Sequence, residues 1–325
     1  MRPIRLRRIF SNVGLARLGA PGLRFQTWGT QCFLGGRTRP TRRDYDVLVE
    51  DKEIEEKNVG TWEEFKIELG NLRRERGQVP NADSSYPLLF RGQEKSCWQL
   101  NTTLDRRRKR MLFRDYYHVI SRIRPQVESL TGKEWPIPEY PDVEKQCSTY
   151  EFDFDLWSGR CPAYAYMGYL RHHGFPSPLL DWSRSPYVAA YFAFSKAIEA
   201  SSGRVSIYVL SRVRNSIFGN RMSVVYYQGP YVNTHHRHFL QQSQYTLCLG
   251  FDSEWRFEQY QDVFDDGLHQ QGICWKITIP TSEREKVLQE LSEYNVNSFS
   301  LFGSEESLMD TLAMREFRLP QENSE

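Results

Sequence analysis

The amino-acid sequence predicts an α+β fold, with helices in the N-terminal half and a mixed or antiparallel sheet built mainly by the C-terminal half. Helical periodicity recurs between about residues 61 and 195, whereas four short runs rich in Val, Ile, Tyr or Cys follow after residue 203. The sequence shows no internal repeat. With 39% hydrophobic and 14% aromatic residues, 325 residues are enough to bury a sizeable core.

The chain has 43 Lys and Arg against 41 Asp and Glu, but these charges are distributed unevenly along the sequence. Residues 1–43 hold ten Arg, no Lys and no acid, so the other 282 residues carry 33 basic and 41 acidic groups. This segment has the composition of an organelle-import leader, but its Gly and Pro residues favour a disordered basic arm. We therefore predict one domain over residues 44–318 and a disordered tail over 319–325. The excess of acidic over basic residues after residue 43 does not indicate nucleic-acid binding.

Hydropathy and cysteine spacing predict a cytoplasmic protein without a membrane segment. The longest apolar runs, such as Tyr187–Phe194, are much shorter than the roughly 20 residues that a membrane helix needs. Six Cys are present without a C-x-x-C pair, which favours reduced thiols over disulfides or a zinc site. Two His clusters, at 172–173 and 235–238, also lack the usual zinc spacing, so we predict no metal.

The first elements are predicted from capping signals and periodicity. Thr61-x-x-Glu64 is a capping box that begins a helix, and residues 86–90 predict a short buried strand that ends at Arg91-Gly92. A helix is predicted over about 103–123. It includes the basic run from 106 to 110, interpreted as a solvated face.

The central region alternates between loop and helix signals. Residues 131–161 have no clear period and are interpreted as an ordered insertion or long loop. Residues 162–173 predict a helix that Gly174 terminates. Ser185 followed by Pro186 is a strong start signal for the next helix, with Ser at the N-cap and Pro at the first helical position.

The C-terminal half supplies the predicted sheet and two more helices. The strand-like runs cover about residues 204–210, 222–227, 244–249 and 273–279. Ser282-x-x-Glu285 is a second capping box that opens a helix, and a last helix is predicted near 304–315.

Three segments in order resemble the FRG domain family. The first is Phe90-Arg91-Gly92, followed by Trp98-x-Leu100 and Arg106. The second, HHGFPSPLLDWSRSPYVAAYFAF, starts at His172, and the third, RHFLQQSQYTL, starts at Arg237. The resemblance covers about residues 60–315, with core motifs at 86–106, 170–195, 235–250 and 273–315.

Two positions depart from the family pattern. Pro178 replaces an Arg that precedes Leu-Leu-Asp-Trp, and Ser243 replaces a Gly. If the missing Arg contacts a ligand phosphate, its absence weakens the case for activity, and Arg184 is the candidate to compensate for it.

The residues and the resemblance together imply an Arg-centred pocket. Its candidate binding residues are Arg91, Gly92, His173, Asp181, Trp182, Arg184 and Arg237. A guanidinium beside a Gly suits bidentate phosphate recognition with close approach of the backbone, although an Arg91–Asp181 ion pair within the fold is an equal alternative. Ser185 lies at a helix N-terminus, where anions bind, but capping alone explains a Ser there.

The order of motifs also resembles that of ADP-ribosyltransferases. That resemblance implies Arg91, Ser185 and Gln241 as catalytic residues, NAD as cofactor and a role in bacterial defence or toxicity. Glu254 and Glu258, expected on a helical segment, are the alternatives to Gln241. The rival interpretation is a non-catalytic module that binds a nucleotide-like small molecule or a macromolecular partner.

Overall fold

The computed structural model describes residues 54–78, 82–197, 203–212, 224–229, 237–265 and 272–317. These residues belong to one compact unit, residues 50–325. The predicted basic arm, the C-terminal tail and His235 and His236 lie outside the described residues.

The described residues form eight strands and eleven α-helices, which are interspersed along the unit. The strands are β1 (Glu55–Asn58), β2 (Leu89–Gln93), β3 (Leu180–Ser183), β4 (Arg204–Arg212), β5 (Val224–Gln228), β6 (Ser243–Phe251), β7 (Trp255–Phe257) and β8 (Gly272–Pro280). The helices are α1 (Trp62–Gln78), α2 (Phe113–Thr131), α3 (Tyr140–Gln146), α4 (Tyr150–Trp157), α5 (Tyr164–His172), α6 (Pro186–Phe194), α7 (Arg237–Leu240), α8 (Tyr260–Asp265), α9 (Arg284–Glu293), α10 (Ser298–Phe302) and α11 (Glu305–Phe317).

The strands form one mixed sheet in the order β1-β8-β4-β2-β3-β6-β5, and β7 pairs with β6. β1 runs parallel to β8, and the other pairs are antiparallel. The predicted α+β class with a mixed sheet is therefore confirmed. The four predicted strand runs correspond to β4, β5, β6 and β8.

Side chains that alternate along the strands divide the core between the two faces of the sheet. Phe90 and Val209 pack with α1, α6 and α9, whereas their neighbours Leu89 and Leu210 belong to a cluster on the other face. A third cluster joins α2, α4 and α5 to β5 and β6. Helix α6 is buried almost all round, as expected for an apolar helix at the centre of a fold.

Helix α6 begins as the sequence predicts. The hydroxyl of Ser185 accepts a hydrogen bond from the Val188 backbone N–H at 3.3 Å, and Pro186 occupies the first helical position. At α1, the Thr61 hydroxyl accepts from the Glu64 N–H at 3.2 Å, but the Glu64 carboxylate returns to the Gly60 N–H rather than to that of Thr61.

Two boundaries in the first half differ from the predictions. The helix expected over 103–123 begins only at Phe113, because residues 103–110 form turns. The Asp105 carboxylate accepts from the backbone N–H and hydroxyl of Thr102 at 2.8 and 2.7 Å, and this local turn competes with a helix. Strand β2 continues through Gln93, so Arg91 and Gly92 lie inside the strand rather than at its end.

Of the two interpretations of residues 131–161, the structure agrees with an ordered insertion, because the segment contains the short helices α3 and α4, whose irregular spacing hid their period. Two further expectations were wrong. The second capping box does not form, because a 3₁₀ turn (Thr281–Glu283) precedes α9. Glu254 and Glu258 flank β7 instead of lying on a helix. No helix among the described residues is both long and apolar enough to cross a membrane.

Candidate functional site

The candidate site is a cleft of about 330 Å³ at the place where β2 and β3 separate. β2 meets β3 at a single pair, Phe90 opposite Ser183, whereas β2 pairs with β4 along its whole length. Beyond that pair, the Arg91 Nη1 donates to the main-chain carbonyl of Asp181 at 2.9 Å. A side chain thus bridges the two strands where backbone pairing stops.

Gly92 allows strand β2 to pack closely against a helix. A Cβ at this position would lie 2.8 Å from the Ala193 nitrogen and 2.9 Å from the Ala189 carbonyl carbon, and closer still to the Ala189 oxygen. All three atoms belong to the backbone of α6, which cannot move aside cheaply. Gly92 also lines the cleft, and its packing against α6 is enough to explain a glycine at this position.

An ion cluster forms one wall of the cleft. Asp181 accepts from Arg91 Nη1 at 2.5 Å and also from Arg171, which reaches it from α5. Arg91 and Arg171 are largely buried, with 14% and 13% of their side chains exposed, whereas the Asp181 side chain is 43% exposed. Two guanidinium groups around one carboxylate leave an excess of one positive charge.

The charges in this cluster shift the pKa values of its members. Burial opposes the charged form of Asp181, but the charges of Arg171 and Arg91 outweigh it and hold the pKa of that carboxyl well below its usual value. Burial also lowers the pKa of Arg91, and the Asp181 charge opposes this effect. Asp181 is therefore ionised at neutral pH and is committed to two partners.

The structure brings five predicted site residues to this cleft: Arg91, Gly92, Asp181, Trp182 and Gln241. The Trp182 indole N–H is already used, since it donates to the Thr246 hydroxyl at 2.9 Å. Gln241 Nε2 donates to the Leu301 carbonyl at 3.2 Å. Gln241 lies in the turn before β6 rather than on the strand itself.

Ser185 and Arg184 lie close in sequence to the cleft but do not line it. Ser185 caps α6, as described above. Arg184 is exposed, and its guanidinium lies 2.7 and 3.0 Å from the side-chain amide of Gln244. The guanidinium that joins Asp181 and Arg91 comes instead from Arg171, so the suggested compensation by Arg184 does not occur at this cleft.

His173 and Arg237 are also placed elsewhere. His173 is exposed at the end of α5, with its ring centroid 4.3 Å from that of Tyr169. Arg237 lines a separate cavity of about 550 Å³. Its guanidinium lies 5.4 Å from the ring centroid of Phe302.

The alternative carboxylates have partners outside the cleft. Glu254 pairs with Arg114 at 2.6 Å, and the buried Glu258 pairs with Arg110 at 3.0 Å. Within the described ranges, no group of three or more His, Cys, Asp or Glu residues has the arrangement needed to hold a metal ion.

Several residues that line the cleft were not among the predicted site residues, and they include Gln93, Trp98 and Arg106. Trp98 has 41% of its surface exposed, and Arg106 is exposed. Among the described residues, no ion pair involves Arg106. Trp98 and Arg106 had a sequence signal, because both follow Phe90-Arg91-Gly92 in the family motif.

Comparison with known proteins identifies the domain that carries this cleft. Residues 86–202, roughly a third of the chain, match the sequence model of the FRG domain family. The chain therefore contains an FRG domain. The third predicted motif, from Arg237, lies outside the matched residues. No curated protein and no solved structure matches the chain.

Proposed function

We propose that this FRG domain is a binding module whose cleft takes a phosphate-bearing, nucleotide-like small molecule, with NAD among the candidate ligands. The observation that carries the proposal is the joint presence of an exposed indole, Trp98, and an exposed guanidinium, Arg106, in one cleft of about 330 Å³. Apolar walls with a few convergent polar groups are typical of small-molecule sites.

The charge of the cleft favours an anion. The cluster of Arg91, Arg171 and Asp181 carries one positive charge in excess, and Arg106 adds another. Glu94 is the other acidic residue in the lining and offsets one of these charges. Arg106 is the guanidinium best able to donate hydrogen bonds to a phosphate, because Arg91 Nη1 already donates twice to Asp181.

Trp98 supplies a surface on which a base can stack. Its backbone is fixed, since its N–H donates to the Lys95 carbonyl at 3.1 Å and its carbonyl accepts from the Tyr208 hydroxyl at 3.0 Å. Lys95 Nζ lies 5.8 Å from the ring centroid. Stacking of one base on such a ring contributes roughly 1–3 kcal/mol to binding.

NAD-dependent ADP-ribosyl transfer is the rival function. We favour binding because two residues proposed for catalysis have structural partners: Ser185 caps α6, and Gln241 donates to the Leu301 carbonyl. Asp181 is likewise held by two guanidinium groups and is poorly suited to act as a base.

Calorimetric titration of the purified chain with ADP, ADP-ribose, NAD and inorganic phosphate tests the proposal. We expect saturable binding of the nucleotides, weakened at least about tenfold by Arg106→Ala, which removes a charge-assisted hydrogen bond. We expect Trp98→Ala to weaken binding by roughly 5- to 150-fold. Arg108→Ala is the matched control, since Arg108 is exposed in the same run and does not line the cleft.

Two results would overturn the proposal. The first is the absence of saturable nucleotide binding, and the second is equal weakening by Arg106→Ala and Arg108→Ala. In parallel, nicotinamide release from NAD is followed by chromatography. Nicotinamide release that is lost in Gln241→Ala, together with attachment of the ADP-ribose of labelled NAD to an acceptor rather than to water, would establish the transferase instead.

A further inference from the structure

We infer that Gln93 selects the ligand by accepting a hydrogen bond from the exocyclic amine of its base, so that the preferred ligand is an adenine nucleotide. This inference rests on the proposed nucleotide-binding function. Gln93 ends β2, lines the cleft and is only 5% exposed.

The orientation of the Gln93 amide is fixed by its own hydrogen bond. Its Nε2 donates to the main-chain carbonyl of Gln99 at 3.2 Å. The reversed orientation would place two oxygen acceptors against each other, which removes the hydrogen bond and adds repulsion. The Gln93 Oε1 takes no part in this hydrogen bond, and as an amide oxygen it can accept a hydrogen bond but cannot donate one.

That acceptor is buried and has no hydrogen-bond partner among the described residues. A buried polar atom without a partner is costly, and native structures rarely leave one unless a ligand, ion or water completes it. A ligand that enters the cleft with an N–H donor would satisfy it. Gln93 Oε1 thus requires a hydrogen-bond donor, not an acceptor, from the ligand.

The position of Gln93 relative to Trp98 identifies the base as the source of that donor. Gln93 bonds to the carbonyl of Gln99, the residue directly after Trp98, and both Gln93 and Trp98 line the cleft. One short backbone segment therefore fixes both the indole and the acceptor. A base stacked on Trp98 offers its edge to surrounding polar groups, and adenine, cytosine and guanine each carry an exocyclic amine on that edge. Of these three bases, adenine is the one present in NAD, the candidate ligand proposed above, and its donor is the 6-amino group.

The test compares ADP with purine riboside 5′-diphosphate, which lacks the 6-amino group, by calorimetric titration. We expect the wild-type chain to bind ADP about tenfold more tightly, the usual effect of one hydrogen bond to a buried acceptor. In Gln93→Met, a side chain of similar length without an acceptor oxygen, we expect the two affinities to agree within about twofold.

Gln99→Ala is the matched control, because it removes a side chain but keeps the carbonyl that orients Gln93, so the preference for ADP should persist. Equal affinities in the wild-type chain would overturn the inference while leaving nucleotide binding intact, as would a preference retained by Gln93→Met. If neither nucleotide binds, the proposed function itself fails. If Gln93→Met does not fold, the wild-type comparison alone decides.

Discussion

Replacement of Gly92 by Ala tests how the central strand packs against α6. Gly92 has an ordinary negative φ, so the substitution introduces no backbone strain and its effect comes from lack of space. The new Cβ would lie 2.8 Å from the Ala193 nitrogen and 2.9 Å from the Ala189 carbonyl carbon, both in the helix backbone. The helix or the strand must therefore shift.

Overpacking of a core typically costs about 1–3 kcal/mol, and a clash with backbone belongs at the upper end, so we expect a loss of about 3 kcal/mol in the free energy of unfolding. That loss is a large fraction of the roughly 5–15 kcal/mol by which a domain is stable. Equilibrium urea denaturation followed by far-ultraviolet circular dichroism measures it.

Gly70 provides the matched control. It lies in α1, and a Cβ there would meet no atom within 4 Å. Gly70→Ala should therefore stabilise the chain, by up to about 1 kcal/mol, because Ala is the better helix former. A loss of less than about 1 kcal/mol in Gly92→Ala, or the same effect of both substitutions, would show that β2 and α6 are not closely packed at this position.

The cap of α6, the ion cluster and the cysteines each give a measurable effect. Ser185→Ala should lower the free energy of unfolding by about 1 kcal/mol and leave ADP affinity unchanged; a selective loss of binding would make Ser185 a site residue. Asp181→Asn should lower the free energy of unfolding by about 2 kcal/mol at pH 7. This loss is smaller than that expected for a fully buried ion pair, because the Asp181 side chain is 43% exposed. Folding lowers the pKa of Asp181, so its contribution to stability is present above the ordinary carboxyl pKa of about 4 and is lost progressively as the pH falls from there towards the lowered pKa. The melting temperature should therefore fall less steeply with acid in the variant than in the wild-type chain, and parallel curves would contradict this. At pH 8, iodoacetamide should label the exposed Cys97 before Cys147, because burial raises the pKa of the Cys147 thiol to about 12. Peptide mapping measures the two labelling rates, and equal rates would contradict the burial of Cys147.

The strands that the sequence predicted are those with a strong local signal. β4, β6 and β8 are nine-residue runs of mostly buried side chains, and such runs are recognisable without tertiary information. β1 consists of Glu-Glu-Lys-Asn and has no apolar pattern; it forms a strand because it pairs with β8 at the edge of the sheet. Its existence therefore depends on a contact more than 200 residues away.

The sequence predicted only those residues of the candidate site that belong to a recognisable motif. Arg91 and Asp181 were singled out because each stands in a recognisable motif, and the structure pairs them. Arg171 completes the cluster from α5, a contact between elements that no local pattern records. Gln93 was missed for a similar reason, since its significance lies in an unpartnered buried oxygen that only the folded chain defines.

A crystal structure of the chain grown with ADP would show directly whether the β2–β3 cleft binds the nucleotide. We expect the base to stack on Trp98, the 6-amino group to lie at Gln93 Oε1 and a phosphate oxygen to lie within hydrogen-bond distance of Arg106. Nucleotide bound instead in the cavity of about 550 Å³ beside Arg237, with the β2–β3 cleft empty, would contradict this expectation.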